Sequence, residues 1–258
     1  KQPKYTCKLN KEYMMRKILL VSGCSNTDKD FYSEIHPELD TSWPKWPELL
    51  AEKLDMDCVN LGKSGAGNEY IYSSLLNYIT ENDTSNIGLI IPAWSQCNRK
   101  DYQIGHLGRW TNDRIDPNGD VFSWLRKSLD YMLSFQILCE RYNLSYMHVQ
   151  MLDAYQDWLN GLKPRSLDKR LSKIGFRYTY PGEKEKDIKK IIEIINNYED
   201  RINIKKFIGW PLSYRFKGFS LQHELIRYNK TTKISNLDSH PNKLGQEKIT
   251  EFIYDRLG

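Results

Sequence analysis

The chain has 258 residues, 40% of them hydrophobic and 28% charged, which is an ordinary globular balance and excludes disorder as the default for any long stretch. Its 38 basic and 33 acidic residues leave a net charge of +5, with lysine and arginine dispersed among acids rather than gathered in one run, so a nucleic-acid partner is not expected. Five cysteines (Cys7, Cys24, Cys58, Cys97 and Cys139) are widely spaced, with no CxxC or Cys/His ligand pattern, and no apolar run approaches the roughly 20 residues of a membrane span. No metal and no membrane are therefore expected.

Residues 1–13 precede the first regular element and are set apart as an N-terminal extension; 14–258 are read as one domain. The run 18–22 (ILLVS) is short, apolar and β-branched, a buried strand ending at Gly23. Residues 47–56 carry apolar side chains at helical spacing with Pro47 at the first turn. A second strand is expected at 57–61, a glycine-bearing turn at 62–67 and an amphipathic helix at 68–80. IGLIIP at 87–92 is a third buried strand. A long helix follows at 121–142, a fourth strand at 144–152, a helix at 184–198, a weaker fifth strand at 204–209 and a closing helix at 244–257.

Strands that are short and continuously apolar, alternating with helices, belong to a parallel sheet covered on both faces. The expectation is an α/β fold: a three-layer α/β/α sandwich around five parallel strands in the order 2-1-3-4-5. Three long connections, about 24–46, 95–120 and 153–183, all leave the carboxyl ends of strands, where open α/β sheets bind their ligands.

Two of those edges carry reactive side chains. Gly23-Cys24-Ser25-Asn26 places a serine just past the first strand, where its hydroxyl and N–H can face the sheet edge. Asp238-Ser239-His240-Pro241 places an imidazole before the last helix with a carboxylate two residues upstream, a base and an orienting partner. Taken alone, the serine is a weak signal, as common in a cap or turn, and the Asp/His segment reads better as a surface turn. Taken together, and with Asn60-Leu-Gly-Lys-Ser-Gly65 between them, they resemble the ordered blocks of the SGNH/GDSL hydrolase family over residues 17 to 257. In that family the first block is Gly-x-Ser, the second Asn-x-x-x-x-Gly, and the last an Asp and a His followed often by Pro.

The resemblance implies the flavodoxin-like form of the sandwich, Ser25 as nucleophile, His240 as base, Asp238 as its partner, and an oxyanion hole built from the N–H groups of Ser25 and Gly65. It requires no cofactor. It departs from the family at three places. Cys24 stands where an acid is usual, Asp238 lies two rather than three residues before His240, and the third block lacks its asparagine, Ser95 falling at that position. Asn68 is therefore expected as the third oxyanion donor, with Ser95 and Asn98 as second choices. Trp94, Arg99 and Trp110 are expected to contact substrate.

The function these readings imply is serine-dependent hydrolysis of a carboxylic ester, with O-acetyl groups on a small molecule or carbohydrate as substrate. Acyl transfer to a sugar hydroxyl by the same chemistry, and a non-catalytic glycan- or protein-binding member of the fold, are the alternatives. With no secretory or membrane segment in view, a cytoplasmic location is expected, virion association being the other possibility the divergent motifs suggest.

Overall fold

The computed structural model describes residues 16–104, 109–113, 119–154, 185–213, 216–227 and 230–258. The expected extension at 1–13 and nearly all of the 153–183 connection lie outside these residues. Seven strands are described: β1 (Ile18–Ser22), β2 (Asp57–Asn60), β3 (Ile87–Trp94), β4 (Lys100–Ile104), β5 (Arg109–Asp113), β6 (His148–Gln150) and β7 (Phe207–Ile208). The principal helices are α1 (Trp46–Lys53), α2 (Asn68–Glu81), α3 (Val121–Arg141), α4 (Glu185–Glu199) and α5 (Lys243–Tyr254).

Five strands form an all-parallel sheet in the order β2-β1-β3-β6-β7, the expected order. Register brings Leu20 of β1 opposite Val59 on one side and Ile90 on the other. Alternation along the strands then feeds two separate cores. Leu20, Ile90 and Trp94 pack under α2, α3 and α4 with Ile71, Leu75, Leu125, Leu129, Ile191 and Ile194. Leu19, Val21, Ile91, Ala93 and Val149 pack under α1 and α5 with Trp46, Leu50, Ile249 and Ile253. This is the three-layer sandwich, and it explains why β1 and β3 are apolar along nearly their whole length: both of their faces are covered.

The helix starts follow ordinary capping chemistry. The Asp120 carboxylate accepts from Ser123 N at 2.8 Å to open α3, and Asn242 Oδ1 accepts from Gly245 N at 3.0 Å to open α5. The second cap matters for the site, because it sets the entry angle of a helix that begins three residues after His240.

Two expectations about strands need correction. The fourth and fifth sheet strands are only three and two residues long, because a 3-10 turn (Ile204–Lys206) takes the residues ahead of Phe207 and an isolated bridge, Ile90 with Tyr146, replaces continuous pairing before His148. The connection at 95–120 is not an unstructured loop but contains an antiparallel hairpin, β4 with β5, pairing Lys100 with Asp113 through Ile104 with Arg109. Its polar strands carry no apolar run; glycines 105 and 108 between Tyr102 and Trp110 are the hairpin signal available in the sequence.

His148, in the middle of the sheet, is fully buried, and its ring stacks on Phe207 with centroids 4.9 Å apart at 11°. Its Nδ1 accepts the Trp94 indole N–H at 2.9 Å, so the ring is neutral with its proton on Nε2. Burial, with Lys206 adding to it, pushes the imidazole down to about 3. Between pH 6.5 and 3 the unfolded chain therefore binds a proton that the folded chain does not, and folding stability falls as the pH is lowered through that window. The loss attributable to His148 between pH 7 and pH 5 is about 2 kcal/mol. Urea unfolding at the two pH values should show this difference in the wild type and a correspondingly smaller one in His148→Phe; equal differences would refute it.

Candidate active site

All five sheet strands end at one edge, and three segments converge there. Ser25 lies three residues past β1. His240 lies at the entry to α5, and its Nε2 is 2.8 Å from Ser25 Oγ. Its Nδ1 is 2.6 Å from Asp238 Oδ1. A carboxylate accepts only, so Nδ1 carries the proton and Nε2 is left to accept from the serine hydroxyl. The structure thus brings Ser25, His240 and Asp238, expected together from the sequence, into one hydrogen-bonded chain, in which Ser25 and His240 lie 215 positions apart in sequence.

The two-residue spacing of the acid and the imidazole is accommodated by a local turn. Asp238 Oδ1 also accepts the backbone N–H of His240 at 3.0 Å, the Asx geometry that only an i, i+2 pair can form. The second oxygen, Oδ2, accepts from Ser33 Oγ at 2.5 Å. Burial by itself raises the Asp238 carboxyl, but the hydrogen bonds from Ser33 and from the His240 backbone and ring outweigh it and hold the group below the usual carboxylate range. The His240 ring remains about a third exposed, with Phe31 against its face at a centroid distance of 4.4 Å.

The turn after β2 is fastened from three sides. Leu61 N and Lys63 N donate to Val21 O and Gly23 O, tying it to the strand that delivers Ser25. Asn60 Oδ1 accepts from Gly62 N at 2.9 Å, while its amide nitrogen donates to Thr27 O and to Glu48 Oε1. Asp28 Oδ2 accepts from both the N–H and the hydroxyl of Ser64, at 2.8 and 2.6 Å. Gly65 sits at φ +80°, a conformation that suits a residue without Cβ. Among the described residues, neither Ser25 N–H nor Gly65 N–H is bonded to an acceptor. Two backbone donors, one on each of these segments, are thus unspent.

The far end of the turn is held by the β4 hairpin. Gly67, which precedes α2, has no side chain to cap it, and Asp101 supplies the cap from outside, its two oxygens accepting from Gly67 N and Tyr70 N at 2.9 Å each. A Cβ on Gly67 would lie 2.8 Å from Asp101 Oδ2, so glycine is required for the approach. Burial pushes the Asp101 carboxyl above its ordinary value in spite of these donors. Arg99, expected to meet substrate, donates to Ala66 O at 3.0 Å through Nη1 and so is tied to this turn.

Two site expectations are overturned. Asn68 is buried, but its carbonyl accepts from Ser95 N at 2.8 Å and its amide donates to Ser128 Oγ at 3.0 Å and to Ser95 O at 3.4 Å. Both amide protons are committed, so Asn68 stitches α2 to the end of β3 and to α3 rather than presenting a third donor to an oxyanion. Asn68→Ala should cost about 1–3 kcal/mol, because the Ser95 N–H would be left buried and unpaired; a urea melt identical to the wild type would refute this role. Trp94 is wholly buried, with its indole N–H on His148, and forms core rather than a substrate wall.

Of the second choices, Ser95 is fully buried with no partner for its hydroxyl among the described residues, and Asn98, three residues further on, is buried as well. The backbone of Trp110 belongs to β5; its side chain lies outside the described residues. Cys24 packs in the core beneath α1 and α5, which accounts for its freedom from the family's usual acid, and the four described cysteines are unpaired. Among the described residues no cluster of three His, Cys, Asp or Glu side chains is placed to hold a metal ion, and no helix is long and apolar enough to cross a membrane.

Nothing local marks Asp28, Ser33, Asp101 or Phe31 in the sequence, since each acts on a partner brought near by the fold. The sheet order, the covering helices and the converging edge are those of a three-layer α/β/α sandwich with the flavodoxin-like strand order. No family model matches the chain, and neither does any curated protein. Among solved structures, the lipase Lip_vut3 from a goat rumen metagenome is similar at a TM-score of 0.50 and 10% identity, over 93% of this chain and 97% of that one. A protein described as lipolytic and of the G-D-S-L family, from Desulfitobacterium hafniense DCB-2, is similar at 0.46 and 13%, over 93% and 99%. The acetylxylan esterase Axe2 of Geobacillus stearothermophilus, as a catalytic mutant, is similar at 0.43 and 12%, over 95% of each chain. At these identities the likeness concerns the fold, and the case for chemistry rests on the geometry of the site.

Proposed function

We propose that the chain is a divergent SGNH-type esterase that hydrolyses a carboxylic ester through an acyl-enzyme on Ser25. The observation that carries this reading is the continuous chain from Ser25 Oγ to His240 Nε2 at 2.8 Å and from His240 Nδ1 to Asp238 at 2.6 Å. A serine hydroxyl is a weak nucleophile unless a base takes its proton as it attacks. His240 is in position to do so, and Asp238 holds its ring and stabilises the imidazolium that forms.

In the reaction Ser25 Oγ bonds to the ester carbonyl carbon while its proton passes to His240 Nε2. Negative charge collects on the former carbonyl oxygen, for which Ser25 N–H and Gly65 N–H are the donors this reading assigns. One such donor is worth roughly 3–4 kcal/mol in the transition state, provided it is already in place. Collapse of the intermediate breaks the C–O bond, and Nε2 returns the proton to the departing alcohol. Water, deprotonated by the same nitrogen, then releases the acid and restores Ser25.

As substrate we propose an O-acetyl group on a carbohydrate, the class that the family resemblance implies. The test is a panel of p-nitrophenyl esters of increasing acyl length, together with acetate release from an acetylated xylo-oligosaccharide. Turnover confined to the acetyl member and to the oligosaccharide is the expected outcome. Preference for long acyl chains would displace the acetyl reading while keeping the esterase; no turnover of any ester, with no covalent labelling by a fluorophosphonate, would overturn both.

A further inference from the structure

The long connection after β1 reaches across to the turn before α5 and meets it three times. Phe31 lies against the His240 ring. Ser33 Oγ, buried, donates to buried Asp238 Oδ2 at 2.5 Å, and accepts from His36 N at 3.0 Å. His36 Nε2 is 2.8 Å from Ser235 Oγ, and Ser235 Oγ accepts from the backbone N–H of Leu237 at 3.1 Å and of Asp238 at 3.0 Å. With two N–H groups already on it, the Ser235 hydroxyl is oriented to give its own proton to His36.

From this juxtaposition we infer that Ser33 is a positioning residue for the catalytic acid, with His36 and Ser235 fastening its loop to the turn that carries Asp238. The inference rests on the catalytic reading of Ser25, His240 and Asp238. The reasoning is one of degrees of freedom. The Asx turn holds only Oδ1, so the carboxylate could still pivot about that oxygen. Ser33 pins the other oxygen, fixing the carboxylate plane and keeping Oδ1 on His240 Nδ1 while the imidazole charges and discharges. It also satisfies an oxygen that would otherwise be buried without a partner. His36 N–H on Ser33 Oγ leaves the hydroxyl proton one direction to point, toward Asp238. Ser33 touches neither substrate nor the reacting atoms; its effect passes through Asp238 and His240.

Ser33→Ala should lower kcat for p-nitrophenyl ester hydrolysis by roughly 10- to 100-fold with KM unchanged, the worth of one hydrogen bond to a buried charge. Ser33→Thr, which keeps the hydroxyl, should recover most of it. A readout independent of turnover is the downfield proton NMR resonance of the hydrogen shared by His240 Nδ1 and Asp238, assigned by its loss in Asp238→Ala. It should shift or broaden in Ser33→Ala and persist in Ser33→Thr. If Ser33→Ala does not fold, Ser33→Cys, isosteric but a weak donor, replaces it in both measurements. A folded variant without the hydroxyl that keeps wild-type kcat and resonance would overturn the inference. If the wild type turns over no ester yet the resonance responds to Ser33, the positioning role stands and the esterase reading falls.

Discussion

Ser25→Ala should reduce ester turnover by at least about 10⁴-fold, leaving only what a bound, polarised carbonyl gains over water. The substitution removes one oxygen from a half-buried side chain and changes no backbone hydrogen bond. His240 loses its partner at Nε2 but keeps Asp238 at Nδ1, so the imidazole has no cause to move. Thermal unfolding should therefore be nearly unchanged while kcat collapses, and a fluorophosphonate should add its mass to the wild type at Ser25 and to nothing in the variant. Turnover by purified Ser25→Ala at the wild-type rate would remove Ser25 from the mechanism. Removing His240 as well should cost little more, because residues that act as one unit are not additive.

Asp238→Asn is the second large effect, with an expected fall in kcat of about 10⁴-fold at neutral pH. The amide is nearly isosteric, so packing is kept, but it can meet His240 in two ways and neither suffices. If its oxygen faces Nδ1, the negative charge that stabilises the imidazolium is gone. If its nitrogen faces Nδ1, the imidazole must carry its proton on Nε2, and the atom that should accept from Ser25 is blocked.

The same variant tests the electrostatics of folding. Asp238 is held below its ordinary value of 3.8 in the folded chain. A depressed carboxyl contributes stability that is fully present above its unfolded value and is lost as the pH falls through the lower, folded one. Below about pH 4 the wild type should therefore lose stability faster than Asp238→Asn, a difference that acid titration of the urea midpoint would register. Parallel acid limbs would mean that folding does not hold the Asp238 carboxyl below its ordinary value. Wild-type kcat in the variant would remove the acid from the catalytic chain.

The order of elements was legible from the chain because buried parallel strands must be apolar on both faces. ILLVS and IGLIIP announce themselves, and the glycines and prolines around them mark where the elements stop. The fifth strand was faint for the same reason in reverse: two residues at a sheet edge leave almost no apolar signal. The β4 hairpin leaves little signal in the sequence because its strands pair with each other rather than joining the main sheet, and polar residues such as Lys100, Gln103 and Asn112 fit that arrangement as well as a loop.

For the site, the residues named in advance are those whose chemistry needs a particular local setting: a serine past a strand, an imidazole before a helix, a glycine in a tight turn. Local sequence carries such settings. What it does not carry is whether a side chain's hydrogen bonds are already spent. Asn68 has the length and the donor of an oxyanion-hole amide, yet the fold lays it against Ser95 and Ser128 and uses both ends of it. Trp94 has the ring to face a sugar, but the strand continues to it, and strand alternation turns it into the core beside His148. Ser33 is an unremarkable loop residue until the closing turn arrives from 205 positions away and sets Asp238 against it. Residue type and neighbours decide what a group can do. Which partner it meets is set by the burial of two apolar sheet faces, a force that takes no account of the polar contacts made at the edge.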